Sequence, residues 1–117
     1  MLKLYGYKKC GTCRKAEKFF QQANMTYDFI DITENPPTQE ALADIVKLAN
    51  VPLKKLFNTS GVQYRELKIK AQLPALSDLD ILALLASNGC LIKRPLVTDG
   101  KYATVGFKEE LYVDVWR

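Results

Sequence analysis

Cys10 and Cys13 are the two residues of this chain whose type and spacing most directly suggest chemistry. They lie in the segment YKKCGTCRKA, residues 7–16, where basic side chains flank both thiols. Nearby positive charge lowers the pKa of a thiol, and the thiolate is both the nucleophile and the metal ligand. Two cysteines at this spacing could therefore form a redox-active dithiol, supply half of a metal site, or be two unreactive thiols.

The rest of the composition narrows these alternatives. The chain contains no histidine, so Ser-His and Cys-His nucleophile pairs, histidine-ligated zinc and histidine general bases are excluded. A structural zinc site needs four ligands, and Cys90 is the one further cysteine. We therefore expect no metal site and no bound cofactor. Cys90 follows Asn88-Gly89 and precedes an apolar segment, so we expect it to be a small buried residue without a redox role.

A strand-helix-strand unit is predicted around the cysteine pair. Residues 2–7 alternate in character and indicate a strand, whereas the apolar residues from Gly11 to Ala23 recur at helical spacing. Residues 27–32 then indicate a second strand, parallel to the first. The pair thus lies where a strand leads into a helix, the context in which a CxxC motif is typical of a redox dithiol.

The two thiols are expected to play different roles. Cys10 precedes the helix and can face solvent, whereas Cys13 lies on the side of the helix that faces the core. The unpaired N–H groups and the positive dipole end of the helix favour a thiolate there. We predict that Cys10 is the attacking nucleophile and Cys13 the resolving thiol. Gly11 and Thr12 allow a tight turn between them, and we expect Lys9, Gly11 and Thr12 to contact the substrate.

The remaining pattern predicts helices between residues 38 and 89, a strand over residues 91–98 that Pro95 interrupts, a hairpin at Asp99-Gly100 and a final helix over residues 108–116. Ser77 and Asp80 resemble a capping box. The order β-α-β, helices, β-β-α predicts an α/β fold with a mixed four-stranded sheet flanked by helices. This connectivity resembles the thioredoxin fold, with a helical insertion over roughly residues 38–89. The chain length fits one domain, residues 1–117.

Arg94 and Pro95 form a second candidate constellation, within the segment LIKRPLVTDG, residues 91–100. In a thioredoxin-like fold, the proline that opens this strand faces the dithiol, and we predict a cis Arg94–Pro95 bond. Arg94 would then lie near Cys10, stabilise its thiolate and bind an anionic substrate, because its planar guanidinium suits that task. The alternative is a solvated charge at a strand end. We predict that both residues contribute to the site.

The charge and hydropathy of the chain bear on its binding partners and its cellular compartment. The formal net charge is +4 and the isoelectric point about 9.0, an excess that we expect to be spread along the chain. Direct nucleic-acid binding would need clustering on one face, so we expect none. No apolar run approaches the roughly 20 residues that span a bilayer. We expect a monomer in the cytoplasm, where unused cysteines stay reduced.

Several segments of the chain resemble the arsenate reductase (ArsC)/Spx family over essentially its whole length. They are GYKKCGTCRKAEKFF, ENPPTQEAL, KLFNTSG with YREL, and LIKRPLVTDG with VGFKEE. The parts CGTCRKA and KRPL are the most specific. The resemblance implies a thioredoxin-like fold with a helical subdomain and a cytoplasmic bacterial protein whose nucleophile is Cys10. The chain looks most like the arsenate reductase-like, glutaredoxin-related branch that carries a CxxC motif.

Two positions depart from the arsenate reductases of this family, which carry three arginines around the oxyanion. Arg94 matches the arginine before the proline, whereas Asn58 replaces the central one and the third falls near Gly106. Those enzymes generally lack a second cysteine. Cys13 is instead similar to that of the Spx regulators, which bind the C-terminal domain of the RNA polymerase α subunit. Spx proteins carry a glycine in their polymerase-contacting surface, where this chain has residues 51–53, Val-Pro-Leu.

These observations predict a thiol-dependent oxidoreductase of the arsenate reductase-like type. Its Cys10/Cys13 dithiol would reduce a disulfide or a small oxidised substrate, and thioredoxin or glutathione/glutaredoxin would be the external reductant and partner. The alternative is an Spx-like redox-sensing transcriptional regulator that binds the RNA polymerase α C-terminal domain. In that case the same disulfide is a signal rather than a turnover intermediate. A redox-inert scaffold is the third interpretation.

Overall fold

The computed structural model describes residues 2–116, so the predicted domain of residues 1–117 extends one residue beyond the described chain at each end. The strands are β1 Lys3–Gly6, β2 Asp28–Asp31, β3 Leu96–Thr98 and β4 Ala103–Val105. The α-helices are α1 Gly11–Gln22, α2 Gln39–Ala49, α3 Val62–Glu66, α4 Ile69–Gln72, α5 Asp78–Ser87 and α6 Glu109–Trp116. Short 3-10 turns occupy Leu53–Leu56, Leu73–Ala75 and Gly89–Leu91.

The four strands form one mixed sheet in the order β2-β1-β3-β4. β1 is parallel to β2 and antiparallel to β3, and β3 pairs antiparallel with β4. Leu4 at the centre of β1 lies opposite Phe29 on one side and Val97 on the other. The mixed four-stranded sheet that the sequence predicts is therefore confirmed.

Helices cover both faces of the sheet, because neighbouring residues of a strand point to opposite sides. On one face, Leu4 and Val97 pack with side chains of α1 and α6, where the rings of Phe20 and Tyr112 lie 5.5 Å apart. On the other face, the neighbouring residue Tyr5 joins a larger core with the helices between β2 and β3. The helical insertion thus forms one whole layer of the fold.

Capping side chains set where two helices of this layer begin. Thr38 precedes α2, and its hydroxyl accepts a hydrogen bond from the N–H of Ala41 at 3.1 Å. Ser77 and Asp80 form a reciprocal capping box at the start of α5, each contact 3.1 Å long. The predicted helix starts at residue 38 and at the Ser77 box are confirmed, since these polar side chains satisfy N–H groups that the helix cannot.

Gly89 joins the helical insertion to the sheet at close range. A Cβ atom at this position would lie 1.8 Å from the carbonyl oxygen of Ile32, which follows β2. No other residue fits there without displacing backbone. The contact fixes the segment that leads from α5 back to β3, and this segment carries Cys90 and Arg94.

β3 begins later than the sequence predicts, at Leu96 rather than Leu91. The N–H of Cys90 bonds the Asn88 side chain at 3.0 Å, which caps a 3-10 turn in place of a strand. Beyond that turn the chain pairs with the helical insertion, since the N–H of Lys93 donates to the carbonyl of Leu56 at 2.6 Å. The apolar alternation in this segment therefore reflects burial between layers, not sheet pairing.

Candidate active site

Cys10 lies at the turn between β1 and α1, as predicted. Its N–H donates to the carbonyl of Tyr7 at 3.0 Å, and its own carbonyl accepts the N–H of Arg14 at 3.1 Å. The backbone of Cys10 is extended, at φ −85° and ψ 119°, so it is the last residue before the helical turn. The sulfur consequently sits at the N-terminal end of a twelve-residue helix.

The two thiols differ in exposure in the predicted direction. Cys10 is half-buried, whereas Cys13 is completely inaccessible to solvent. Gly6 makes room for the inner thiol, because a Cβ atom at Gly6 would lie 3.0 Å from the Cys13 sulfur. The sequence pattern gave no sign of this role for Gly6. A large reagent or substrate can reach only the outer sulfur.

The surroundings of Cys10 favour its thiolate. Burial would by itself raise the pKa of Cys10, but the backbone N–H of Cys13, the Cys13 thiol, the N–H of Thr12 and the Arg94 guanidinium all act against it. The net result is a pKa of Cys10 below its ordinary value. Thr12 and Cys13 belong to the first turn of α1, so the N–H groups at the start of the helix favour the thiolate.

The inner thiol is held in the protonated form. The pKa of Cys13 is raised to about 12, first by burial and then by the hydrogen bond and the charge of Cys10. A backbone hydrogen bond from Tyr7 and the charge of Arg94 act in the opposite direction. At neutral pH the thiolate therefore forms more readily on Cys10, the outer sulfur, whereas Cys13, the inner sulfur, stays a protonated thiol. This asymmetry is what an attacking and a resolving thiol require.

Arg94 lies beside the dithiol, and the Arg94–Pro95 peptide bond is cis, as predicted. The carbon Cζ of the guanidinium is 5.6 Å from the centroid of the Tyr7 ring, a distance at which a cation and an aromatic face attract each other. The guanidinium lowers the pKa of Cys10. Sequence reasoning missed Tyr7, although an aromatic residue three positions before the nucleophile was visible.

A surface cavity of about 320 Å³ opens over the Cys10 sulfur. Besides the turn that carries Cys10 and Thr12, three separate segments build its wall, with polar and cationic side chains that can meet an anion or a peptide. The lining residues are Cys10, Thr12, Asn58, Ser60, Lys93, Arg94, Val105, Gly106, Phe107 and Lys108. Of these, Ser60, Phe107 and Lys108 were not predicted from the sequence. Nothing in their local spacing shows that their loops meet at Cys10.

The two positions where the family's further arginines are replaced both line this cavity. Asn58 supplies an amide where the resemblance would place a guanidinium, and Gly106 supplies no side chain. Gly106 adopts φ +79°, and a Cβ atom there would lie 3.0 Å from Cε of Lys93. The Lys93 side chain therefore crosses the space beside Gly106. The cavity holds cations of a different kind and arrangement from a ring of three arginines.

Three of the residues predicted to contact the substrate, Lys9, Gly11 and Pro95, are placed less directly than Thr12, which lines the Cys10 cavity. Lys9 and Gly11 are exposed and are not among the described lining residues. Pro95 is buried, and its carbonyl accepts the N–H of Gly106 at 2.8 Å. Pro95 thus positions the backbone of the cavity wall. These roles remain predictions, since the site residues are assigned from position alone.

Cys90 is half-buried rather than buried, so that part of the sequence interpretation was wrong. It lines a second cavity of about 430 Å³ together with Tyr7, Asn58 and Arg94. The short turn capped by Asn88 brings it to the surface, where a strand would have turned it inward. Within residues 2–116, no three side chains of the metal-ligating types come together as a metal site, and no helix is long and apolar enough to cross a membrane.

A mixed sheet between two helical layers, with a CxxC pair where β1 turns into α1, defines a thioredoxin-like protein with a dithiol site. The ArsC family model matches residues 5–115, and the chain belongs to this family. The structure of an ArsC family related protein from Bacteroides fragilis superposes with a TM-score of 0.92, at 42% identity over 97% of this chain and 95% of that one. These findings confirm the predicted family and fold class.

Three other proteins show the functional range of the relatives. The uncharacterized protein YusI of Bacillus subtilis is 49% identical over 98% of both chains. The structure of a protein described as a possible arsenate reductase from Streptococcus mutans is 41% identical, with a TM-score of 0.86, covering 95% of this chain and 97% of that one. The global transcriptional regulator Spx 2 of Bacillus cereus is 26% identical over 94% of this chain and 82% of its own length.

Proposed function

We propose that this protein is a thiol-disulfide oxidoreductase of the arsenate reductase-like type, with Cys10 as nucleophile and Cys13 as resolving thiol. One observation carries the proposal. A half-buried sulfur with a lowered pKa opens into a cavity, while a fully buried, protonated sulfur lies directly behind it. An inert pair of thiols would have no reason for this division of accessibility and charge.

In the first step, the Cys10 thiolate attacks one sulfur of a substrate disulfide. A new bond joins Cys10 to that sulfur, the substrate disulfide breaks, and its other sulfur leaves as a thiolate that takes a proton from water. Arg94 stabilises the attacking thiolate before the step. It can also meet negative charge on the departing side of the substrate, because it lines the same cavity.

In the second step, Cys13 attacks the Cys10 sulfur of the mixed disulfide. Once Cys10 is bonded to substrate it carries no negative charge, so one cause of the high pKa of Cys13 disappears. Cys13 then gives up its proton more readily, and the second substrate thiol leaves with it. The products are a reduced substrate and a Cys10–Cys13 disulfide, which has taken up the two-electron oxidation.

An external dithiol must return these two electrons. We propose thioredoxin or glutathione with glutaredoxin as the reductant class, and the cytoplasm as the compartment that keeps it reduced. Arsenate is a weaker candidate substrate. With Asn58 and Gly106 at the positions of two arginines, the cavity offers less compensation for a compact, multiply charged oxyanion.

Trapping the mixed disulfide tests the mechanism. Cys13→Ser, incubated with a fluorescent low-molecular-weight disulfide, is expected to accumulate a covalent adduct at Cys10, because the second step is blocked. Mass spectrometry of the digested protein would place the adduct on Cys10 and distinguish it from any adduct on the half-buried Cys90. Cys10→Ser is the matched control and should form no adduct at Cys13, which solvent cannot reach.

Two outcomes of these experiments would contradict the proposal. An adduct of equal yield on Cys13 in Cys10→Ser would show that Cys10 is not the nucleophile. Alternatively, wild-type protein that forms no Cys10–Cys13 disulfide under mild oxidation would remove the second step. Steady-state reduction coupled to thioredoxin should be lost in both variants.

A second candidate function has a specific observation in its favour. The Spx 2 regulator is 26% identical to this chain over 94% of this chain. The resemblance to the Spx regulators also implies a cysteine pair of the Cys10/Cys13 type. We keep redox-controlled binding to the RNA polymerase α C-terminal domain as the alternative. Calorimetry of the purified domain with reduced and with oxidised protein tests it. Absence of binding in both redox states would eliminate this function and leave the oxidoreductase.

A further inference from the structure

A basic groove lies on the helical insertion, outside the Cys10 cavity. Its volume is about 980 Å³. We use the name basic groove for the surface formed by Thr59, Tyr64, Arg65, Lys68, Lys70, Ala71 and Leu73. Three of these residues are cations, the floor is apolar, and none of the described residues that line the groove carries a carboxylate. The proposed reaction uses none of the three cations.

The local backbone explains why the cations converge. Arg65 lies on α3 and Lys70 on α4, and both side chains are exposed. Lys68 joins the two helices in a left-handed conformation, φ 53°, which only a minority of residues other than glycine adopt. The turn lets Ile69 and Tyr64 point into the core while the three charged side chains stay on the surface.

Positive charge clusters in two segments of the chain, residues 1–18, with six basic residues and one acidic residue, and residues 51–76. Residues 51–76 contain five of the 17 basic residues and only one of the 13 acidic residues. The second segment, which contains the basic groove, therefore carries +4. A patch of one sign attracts oppositely charged partners and accelerates their encounter.

The basic groove is continuous with the reactive site through one loop. Thr59 lines the groove, and its two neighbours in sequence, Asn58 and Ser60, line the cavity over Cys10. A chain seated in the groove would lie against the same loop that walls the cavity over Cys10. The loop itself is held in place, because the N–H of Asn58 donates to the carbonyl of Leu91 at 2.8 Å.

We propose that the basic groove holds an acidic segment of a protein substrate whose disulfide reacts with Cys10. This inference rests on the proposed oxidoreductase function and names its substrate class as oxidised proteins with acidic residues near the reactive disulfide. The cations meet carboxylates, and the floor formed by Ala71 and Leu73 accommodates an apolar side chain between them. A single-stranded nucleic acid fits less well. The Tyr64 ring is buried against Phe57, at a centroid distance of 5.8 Å, and cannot stack on a base.

Two measurements test the groove separately from the chemistry. The first is fluorescence anisotropy of a labelled, cysteine-free peptide of glutamates around one phenylalanine, titrated with the Cys10→Ser protein. We expect saturable binding that weakens with added salt. The triple variant Arg65→Gln, Lys68→Gln, Lys70→Gln should bind roughly tenfold more weakly, since several exposed ion pairs are lost together. The matched control is Lys3→Gln, Lys47→Gln, Lys101→Gln, which removes the same charge from another surface and should bind like the parent.

The second measurement compares reduction of two peptide disulfides with the same leaving group, one carrying glutamates and one carrying glutamines. We expect wild-type protein and the control variant to prefer the acidic peptide through a lower KM, and the triple variant to lose that preference. Equal KM values in wild type, or an oligouridine that displaces the peptide at lower concentration, would overturn the groove proposal. Peptide binding without reduction of either disulfide would instead reject the oxidoreductase function and leave the docking surface standing.

Discussion

The guanidinium of Arg94 lies over the ring of Tyr7, with 5.6 Å between its carbon Cζ and the ring centroid. Tyr7 also accepts the N–H of Cys10 through its carbonyl at 3.0 Å. One residue therefore positions both the nucleophile, through its backbone, and the neighbouring cation, through its side chain. The arrangement holds a positive charge beside a sulfur that it helps to ionise.

Loss of the Tyr7 ring should weaken this arrangement. In Tyr7→Leu the guanidinium loses its aromatic support, and we expect the pKa of Cys10 to rise toward its ordinary value. Alkylation by iodoacetamide at neutral pH should slow roughly threefold to tenfold, since one pKa unit is a factor of ten in thiolate. Tyr7→Phe keeps the ring and is the control. A rate profile against pH that is unchanged in Tyr7→Leu would show that the contact does not position Arg94.

The buried Cys13 thiol predicts a loss of stability at alkaline pH. Its pKa is about 12 in the folded protein and about 8.5 when unfolded. The unfolded chain thus releases this proton first as pH rises, so the stabilisation is complete below about pH 8.5 and is lost toward pH 12. At about pH 10 the cost approaches 2 kcal/mol. Urea unfolding at several alkaline pH values should show a steeper loss of stability in wild type than in Cys13→Ala, because buried Tyr112, whose pKa is also raised, contributes to both proteins. Equal slopes would contradict the prediction.

Two glycines of the site should respond oppositely to alanine. Gly106 has φ +79°, and a Cβ atom would press on the Lys93 side chain at 3.0 Å. Gly106→Ala should therefore lower the free energy of unfolding by about 1–3 kcal/mol. Gly11 opens α1, and a Cβ atom there would meet no atom within 4 Å, so Gly11→Ala should raise it by about 0.4–1 kcal/mol. Thermal unfolding of both variants checks the pair, and a loss in Gly11→Ala would refute the second expectation.

A cation restored at position 58 should increase the affinity of the Cys10 cavity for oxyanions. Asn58→Arg places a guanidinium on the cavity wall, where charge-assisted hydrogen bonds to an anion become available. We expect arsenate to protect Cys10 from alkylation at roughly threefold to tenfold lower concentration than in wild type. Asn58→Gln keeps the amide and should behave like wild type. Equal protection in Asn58→Arg would mean that the anion is not bound against this wall.

Much of the fold could be predicted because its signals are local. The alternation around Leu4 and the caps at Thr38 and Ser77 are written in adjacent residues, and each satisfies a backbone or burial requirement by itself. The positions of Cys10 and Cys13 follow from the same local pattern.

The wall of the Cys10 cavity could not be predicted in this way. Residues 58–60, 93–94 and 105–108 meet at the sulfur only because the helical insertion folds back onto the sheet. Nothing in the spacing of these segments along the chain predicts that they meet. The late start of β3 has the same origin, since the segment before it hydrogen-bonds to the insertion and not to a strand.

The contact between Gly89 and the carbonyl of Ile32 has a consequence for how partners are chosen. The backbone of Gly89 packs directly against the backbone of Ile32 there, with no side chain between them. A movement of the helical insertion away from the sheet would have to break this backbone contact. We therefore expect the Cys10 cavity to keep its shape, so that a reaction partner must fit the cavity as it stands.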